Sequence, residues 1–248
     1  MTRTYQNHSY QREGETYINS VDLINNCTAF SCEELLFHPN GGGQPSDHGE
    51  VMVLGDTYRV SDLVKRKGDV LIVLEQKIPC HDEIVMGDDL TCFLDWERRY
   101  ALMRLHTASH VFMSAVRKVI GDYEPRGIEI ADDRSGCEIR FSSSQNLTDS
   151  RLDPVLGIAQ EAILSNLNVE VRFYRNMDEA RADNPYFRVD PNLKLKGKIR
   201  VIVIDGFDAN PCGGTHVKSL SEIGPIEIQD IEHSPQVGEC SIRFTVSN

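Results

Sequence analysis

With 248 residues, 40% of them hydrophobic and 26% charged, the chain can hold one large domain or two modest ones, each with a core of its own. Met1 to Glu15 is polar and lacks the apolar run of a secretion signal, and no stretch is apolar for long enough to span a bilayer, so a cytoplasmic protein is expected. A formal charge of −12 excludes a uniformly basic nucleic-acid binder, yet the excess is uneven: residues 1–90 carry 7 Lys/Arg against 15 Asp/Glu, and residues 91–248 carry 19 against 23.

Up to about Leu90 the pattern is short and strand-like. Tyr58-Arg59-Val60 and Val70-Leu71-Ile72-Val73-Leu74 flank a Lys67-Gly68-Asp69 turn, and the region reads as a small β-rich domain of barrel type, residues 1–92. Between Trp96 and Ile120 there is no Gly or Pro, and Leu105, Ala108, Phe112, Ala115 and Val119 recur at helical spacing. A second helix is predicted over Leu152 to Asn166, with Asp149 or Ser150 near its cap. Strands are predicted at Val169–Tyr174, Ile199–Ile204, Ile226–Glu232 and Ser241–Val246 from β-branched enrichment and alternation. Helices interspersed with strands make residues 93–248 an α+β or α/β two-layer domain, and the whole chain α+β. Lys194, Lys196, Lys198 and Arg200 would share one face of an extended segment, either as a lysine-protected edge or as an RNA contact.

Seven cysteines are scattered, odd in number and free of C-x-x-C pairs, so most are expected to be reduced core residues. Cys212 stands apart. It opens Cys212-Gly213-Gly214-Thr215-His216, directly after the strand predicted to end near Asp205, where the glycines permit a tight loop. The helix carries His106-Thr107-Ala108-Ser109-His110, whose two imidazoles lie four residues apart on one face. Three imidazoles and one thiolate suit tetrahedral zinc better than calcium or magnesium. Thr107 stands where a metalloprotease helix has its glutamate base, which disfavours that route to peptide hydrolysis.

A third segment, Phe37-His38-Pro39-Asn40-Gly41-Gly42-Gly43-Gln44-Pro45-Ser46-Asp47-His48-Gly49, lets a ligand or a neighbouring strand approach its backbone closely. Together the three segments resemble the editing domain of alanyl-tRNA synthetase and its free-standing relatives, the AlaX proteins. Gly41-Gly42-Gly43-Gln44, His106-x-x-x-His110 and Cys212-x-x-x-His216 occur in that family's order, with Asp95-Trp96-Glu97-Arg98-Arg99 and Ser221-Glu222-Ile223-Gly224 as matching flanks. The resemblance runs from about Phe37 to Arg243 and fits the medium-length type, with an N-terminal barrel before the editing domain. It departs from the family in an extension at Ser31-Cys32-Glu33-Glu34-Leu35, and in the absence of a basic residue within Ser234-Pro235-Gln236-Val237-Gly238.

The resemblance implies a trans-editing deacylase that hydrolyses the 3′-ribose ester of tRNA(Ala) mischarged with serine or glycine. It implies one Zn2+ per chain on His106, His110, Cys212 and His216, which act in catalysis through the metal. Four protein ligands close a tetrahedral ion, whereas hydrolytic zinc keeps an open position. Either one ligand such as His216 is loosely held, or the ion is five-coordinate, or it orients the terminal adenosine while another group activates water. Gly41, Gly42, Gly43 and Gln44 would line the substrate site, and Gln44, Thr107 and Ser109 are the candidates for reading the serine hydroxyl. Arg98, Arg99 and Arg104 would reach acceptor-end phosphates, or else pair with nearby carboxylates. Two other readings fit the same residues: a zinc-dependent hydrolase of small esters, and a non-catalytic tRNA-binding module with a structural zinc.

Overall fold

The computed structural model describes residues 1–66, 68–143, 149–189, 197–234 and 238–247, and the chain divides into two compact units. The first comprises Met1–Gly41 and Pro45–Ala101, the second Gly42–Gln44 and Leu102–Asn248. Within the glycine-rich segment, Gly42–Gln44 thus group with the second unit. No helix among the described residues is long and apolar enough to cross a membrane.

The first unit is a closed antiparallel barrel. Its strands are β1 (Glu13–Ile24), β2 (Cys27–Cys32), β3 (Gly49–Val53), β4 (Asp56–Arg66), β5 (Asp69–Leu74) and β6 (Asp89–Leu94), in the order β1-β2-β5-β4-β3-β6. Closure removes the free edges that an open sheet would expose. Two hairpins turn on two residues of positive φ, Asn25-Asn26 and Leu54-Gly55, the conformation whose twist matches the flanking strands. The predicted hairpin at Gly68 is present, with Arg66 opposite Asp69; Lys67 lies outside the described residues. Strand alternation explains the unbroken apolar run of β5: Val70, Ile72 and Leu74 join the barrel interior with Ile18, Phe30 and Leu90, while Leu71 and Val73 pack with Ala29 in a separate cluster.

Helix α1 (Trp96–Ile120) spans the predicted residues. Asp95 caps it, its carboxylate accepting from the Arg98 N–H at 3.0 Å. From Leu105 to Val116 every residue of α1 is buried, so this stretch is covered on all sides within the second unit rather than amphipathic. The second unit continues with β7 (Glu124–Ile130), β8 (Cys137–Ser142), α2 (Asp149–Leu164), β9 (Val169–Tyr174), α3 (Met177–Asp183), β10 (Ile199–Ile204), β11 (Asp208–Pro211), β12 (Ile226–Ser234) and β13 (Glu239–Val246). One antiparallel sheet runs β12-β13-β8-β7 and another β9-β10-β11. Helix α2 begins three residues before the predicted Leu152, so Asp149 and Ser150 lie within its first turn rather than outside it.

Candidate metal centre

Buried polar groups need partners, and α1 carries five in its buried stretch: His106, Thr107, Ser109, His110 and Ser114. Helical geometry puts His106 and His110 on one face. The cysteine loop arrives by a different route from the one its sequence suggests. It follows not the strand ending near Asp205 but a further short strand, β11, after a turn through Gly206 at φ 66°. The loop admits no side chain at Gly214, where a Cβ would collide with the His106 ring.

The four predicted ligands come together: one donor atom from each of His106, His110, Cys212 and His216 lies within 4.8 Å of the others. Cys212 Sγ is 3.5 Å from His106 Nε2 and 3.3 Å from His216 Nε2. Zinc bonds of about 2.3 Å to sulfur and 2.0–2.1 Å to nitrogen, opened to a tetrahedral angle, separate S from N by about 3.5 Å. The donor set and its spacing therefore fit a zinc ion.

Hydrogen-bond chemistry fixes which nitrogen the His106 and His216 rings present. Gln44 Oε1 lies 2.9 Å from His106 Nδ1 and, as an oxygen that can only accept, requires the proton on Nδ1. The His106 Nε2 lone pair then faces Cys212. Thr107 Oγ1 donates its one proton to the Met103 carbonyl at 2.8 Å, so it accepts from His216 Nδ1 at 3.2 Å and from the Val217 N–H at 3.2 Å. His216 is thereby set in the same tautomer. His110 Nδ1 faces Asp208 Oδ2 at 3.6 Å. Gln44 also clamps the loop, accepting from the Thr215 N–H at 2.9 Å and donating to Thr215 Oγ1 at 2.8 Å.

The electrostatics match this geometry at Cys212 and His216. Burial raises the Cys212 thiol, but the imidazoles of His106 and His216 outweigh burial and bring it well below its ordinary value. Burial takes His216 well below an ordinary imidazole despite the neighbouring thiolate. Burial also acts downward on His110, yet the Asp208 carboxylate and the Cys212 sulfur carry it up to about 10. Thiolate and neutral imidazole are the states a metal ligand requires, and Cys212 and His216 are shifted toward them; His110, shifted toward imidazolium, would release a proton on taking up a metal. Elsewhere burial raises cysteine: the Cys32 thiol is pushed up to about 12, and Cys92 and Cys137 are raised as well.

Other residues singled out in the sequence face inward. Thr107 and Ser109 are fully buried, and Ser109 Oγ donates to the His106 carbonyl at 2.7 Å. Gly43 lies against β7: its carbonyl accepts from the Ile130 N–H at 2.9 Å, and a Cβ there would strike the Ile128 carbonyl. Gly41 falls in the first unit and Gly42 in the second. Arg99, expected at RNA phosphates, is fully buried; its guanidinium pairs with Asp47 and donates to the Ser9 and Leu36 carbonyls at 2.9 and 3.0 Å. Arg98, also buried, donates to the Ser46 carbonyl at 3.0 Å. Arg104 donates to the carbonyls of Glu222, Ile223 and Ser247 at 2.5–3.2 Å. These three arginines hold the protein to itself, because a guanidinium offers several donors at once, and here they go to backbone carbonyls and, for Arg99, to the Asp47 carboxylate as well. Arg200 does likewise, donating to the Cys212 carbonyl at 2.5 Å, while Lys198 sits over the Phe173 ring. Lys194, Lys196 and residues 235–237 lie outside the described residues.

A cleft of about 360 Å3 opens beside the cluster, lined by His110, Met113, Arg117, Tyr123, Arg188 and Asn210 among others. Its cations, and the carboxylate of Asp208, were not apparent as site residues in the sequence. The signal that was available is the spacing Asp208-x-Asn210-x-Cys212, a carboxylate and an amide at alternate positions just ahead of the cysteine loop.

Comparison with known proteins adds to this picture. Residues 199–241 match the family model described as the threonyl and alanyl tRNA synthetase second additional domain. The chain is 30% identical over 229 residues to the alanyl-tRNA editing protein AlaX-L of Pyrococcus horikoshii, covering 91% of this chain and 53% of that protein. It is 33% identical over 201 residues to the alanine–tRNA ligase of Hyperthermus butylicus, covering 79% of this chain and 21% of the ligase. The Methanopyrus kandleri ligase is 33% identical over 211 residues, 84% of this chain and 22% of the ligase. The chain thus spans about half the length of the editing protein and about a fifth of each ligase.

Proposed function

We propose, from the premise that this chain is homologous over most of its length to the alanyl-tRNA editing protein AlaX-L and to part of the alanine–tRNA ligases, that it is an aminoacyl-tRNA deacylase. Its substrate is tRNA(Ala) carrying serine or glycine, and the bond broken is the ester to the 3′-terminal ribose. The second unit is the editing domain, and the reaction takes place in the cytoplasm alongside translation. The observation that carries this reading is the convergence of His106, His110, Cys212 and His216 within 4.8 Å beside a cleft of about 360 Å3. That volume falls in the range of about 300–1,000 Å3 usual for ligand pockets.

His106, His110, Cys212 and His216 hold one zinc ion. A zinc ion so held supplies Lewis acidity toward an ester carbonyl and toward water. The chain's own residues do the positioning. Gln44 and Thr107 keep the His106 and His216 rings oriented, and the Gly213-Gly214 turn carries Cys212 up to them. Gln44, Thr107 and Ser109 are already engaged within the protein. Recognition of the aminoacyl end therefore rests on the cleft wall, where Asn210, whose amide nitrogen donates to Asp208, supplies its side-chain oxygen and Arg117 and Arg188 supply cations for the terminal phosphates.

The test is a deacylation assay on tRNA(Ala) charged with serine, glycine or alanine, run with and without a chelator and beside a panel of small esters. Release of serine and glycine but not alanine, abolished by the chelator, is expected. Equal hydrolysis of serine and alanine esters would remove the proposed selectivity. Activity on small esters alone would identify a general esterase, and binding without release a non-catalytic module.

A further inference from the structure

Two of the three imidazoles rest against neutral outer partners, Gln44 and Thr107, but His110 does not. Facing its Nδ1 is Asp208, the first residue of β11 and 2% exposed. The Asp208 carboxylate is held on both oxygens. Oδ1 accepts from Ser114 Oγ, one helical turn beyond His110 on α1, and Oδ2 accepts from Asn210 Nδ2 at 2.5 Å. The same Oδ2 is 3.6 Å from His110 Nδ1, an ion-pair distance rather than a hydrogen bond. Among the described residues His110 Nδ1 has no hydrogen-bond partner, although it is buried.

A buried carboxylate is costly, and a tie between Ser114 and Asn210 could be made by any neutral acceptor. What a neutral group would not provide is charge. A dication ligated by one thiolate and three neutral imidazoles leaves a net charge of +1 in a buried site. One carboxylate against the cluster brings that sum to zero.

We propose that Asp208 is a positioning residue for the metal centre: with the ion held, its carboxylate closes the 3.6 Å to His110 Nδ1 and accepts from that N–H, directs the ring's other nitrogen at the ion, and neutralises the remaining charge. This rests on the reading of the four-residue cluster as a zinc site. Carboxylate–histidine–metal arrangements of this kind orient the ligand and raise its basicity. Cys212 directly follows β11, which Asp208 opens, so both negative charges of the site come from one short segment.

The test compares zinc affinity, by competition with a chromophoric chelator, in the wild type, Asp208→Asn and Ser114→Ala. Unfolding midpoints of the metal-free proteins are measured in parallel. Asp208→Asn is expected to weaken zinc by about 10–100-fold, the usual effect of losing such a partner. Ser114→Ala removes the tie to α1 but keeps the charge, and is expected to lower the unfolding midpoint with a much smaller loss of zinc. A purely structural Asp208 would give the two variants equal affinities, and that result would overturn the proposal while leaving the metal site intact. A wild type that takes up no zinc would overturn both. Should Asp208→Asn fail to fold, nitrogen NMR of histidine-labelled, zinc-loaded wild type decides: a proton on His110 Nδ1 is expected, and its absence would overturn the assignment.

Discussion

Gln44 Oε1 meets His106 Nδ1 at 2.9 Å across 62 positions of sequence, and the same oxygen accepts from the Thr215 N–H. One amide therefore sets a ring on α1 and a backbone group in the cysteine loop at once. Gln44→Ala strands three buried partners: His106 Nδ1, the Thr215 N–H and Thr215 Oγ1. Each stranded group is expected to cost about 1–3 kcal/mol, read as a fall in the urea midpoint, with zinc affinity falling too. Gln44→Glu keeps the acceptor and is expected to be the milder change. Equal stability of Gln44→Ala and wild type would show that the amide does not hold the loop.

The glycines preceding Gln44 separate backbone strain from close approach. Both Gly42 and Gly43 have positive φ, 63° and 82°, but only at Gly43 would a Cβ strike the Ile128 carbonyl. Gly42→Ala is expected to cost about 1–2 kcal/mol, the penalty of the left-handed conformation alone. Gly43→Ala should cost clearly more and should disturb the Gly43–Ile130 hydrogen bond in amide exchange. Equal costs would mean that β7 moves aside freely.

Arg99 and Asp47 form a fully buried pair. Removing one partner of such a pair typically costs about 3–5 kcal/mol, so Arg99→Met should unfold at markedly lower denaturant. Adding Asp47→Leu should recover part of that loss. If instead Arg99→Met keeps its stability and loses only tRNA affinity, the guanidinium faces the RNA after all.

Arg117 and Arg188 line the cleft; Arg117 lies 3.8 Å from the exposed Asp122 and Arg188 donates from one nitrogen to the Pro185 and Phe187 carbonyls, whereas Arg104 is engaged with three carbonyls. In binding to a tRNA acceptor stem, the slope of log affinity against log salt should flatten by about 0.7–0.9 for every phosphate that is no longer neutralised. Arg117→Ala and Arg188→Ala are expected to show that flattening. Unchanged slopes in both would remove the cleft from the RNA-binding surface.

Much of this molecule is legible in its sequence where local chemistry suffices. Helix α1 reads directly from the absence of Gly and Pro over Trp96 to Ile120, and β9 and β10 from their β-branched runs. The barrel follows from short alternating segments with turn residues between them. The four clustered side chains were nameable because the His pair and the Cys/His loop are each contiguous.

What could not be read is non-local or atypical in composition. Strand β7 contains Pro125 and Gly127, residues a sheet tolerates at its edge, and β7 is the edge of its sheet. Strand β11 is Asp-Ala-Asn-Pro, with no β-former in it, so Asp208 lay in what looked like a loop. Arg99 carries the signature of a surface cation, and only Asp47, 52 positions earlier, makes it a buried one. The inward roles of Thr107 and Gln44 depend on partners more than 100 residues away.

The grouping of Gly42–Gln44 with the later unit has a consequence for how separable the two halves are. A fragment starting at Leu102 would retain all four side chains of the cluster yet lack the amide that braces His106 and Thr215. Excision at the boundary would therefore yield a protein with its donors intact and their orientation loosened. Any descendant that discarded the barrel would have to recruit a substitute brace, or keep this short peptide as a graft.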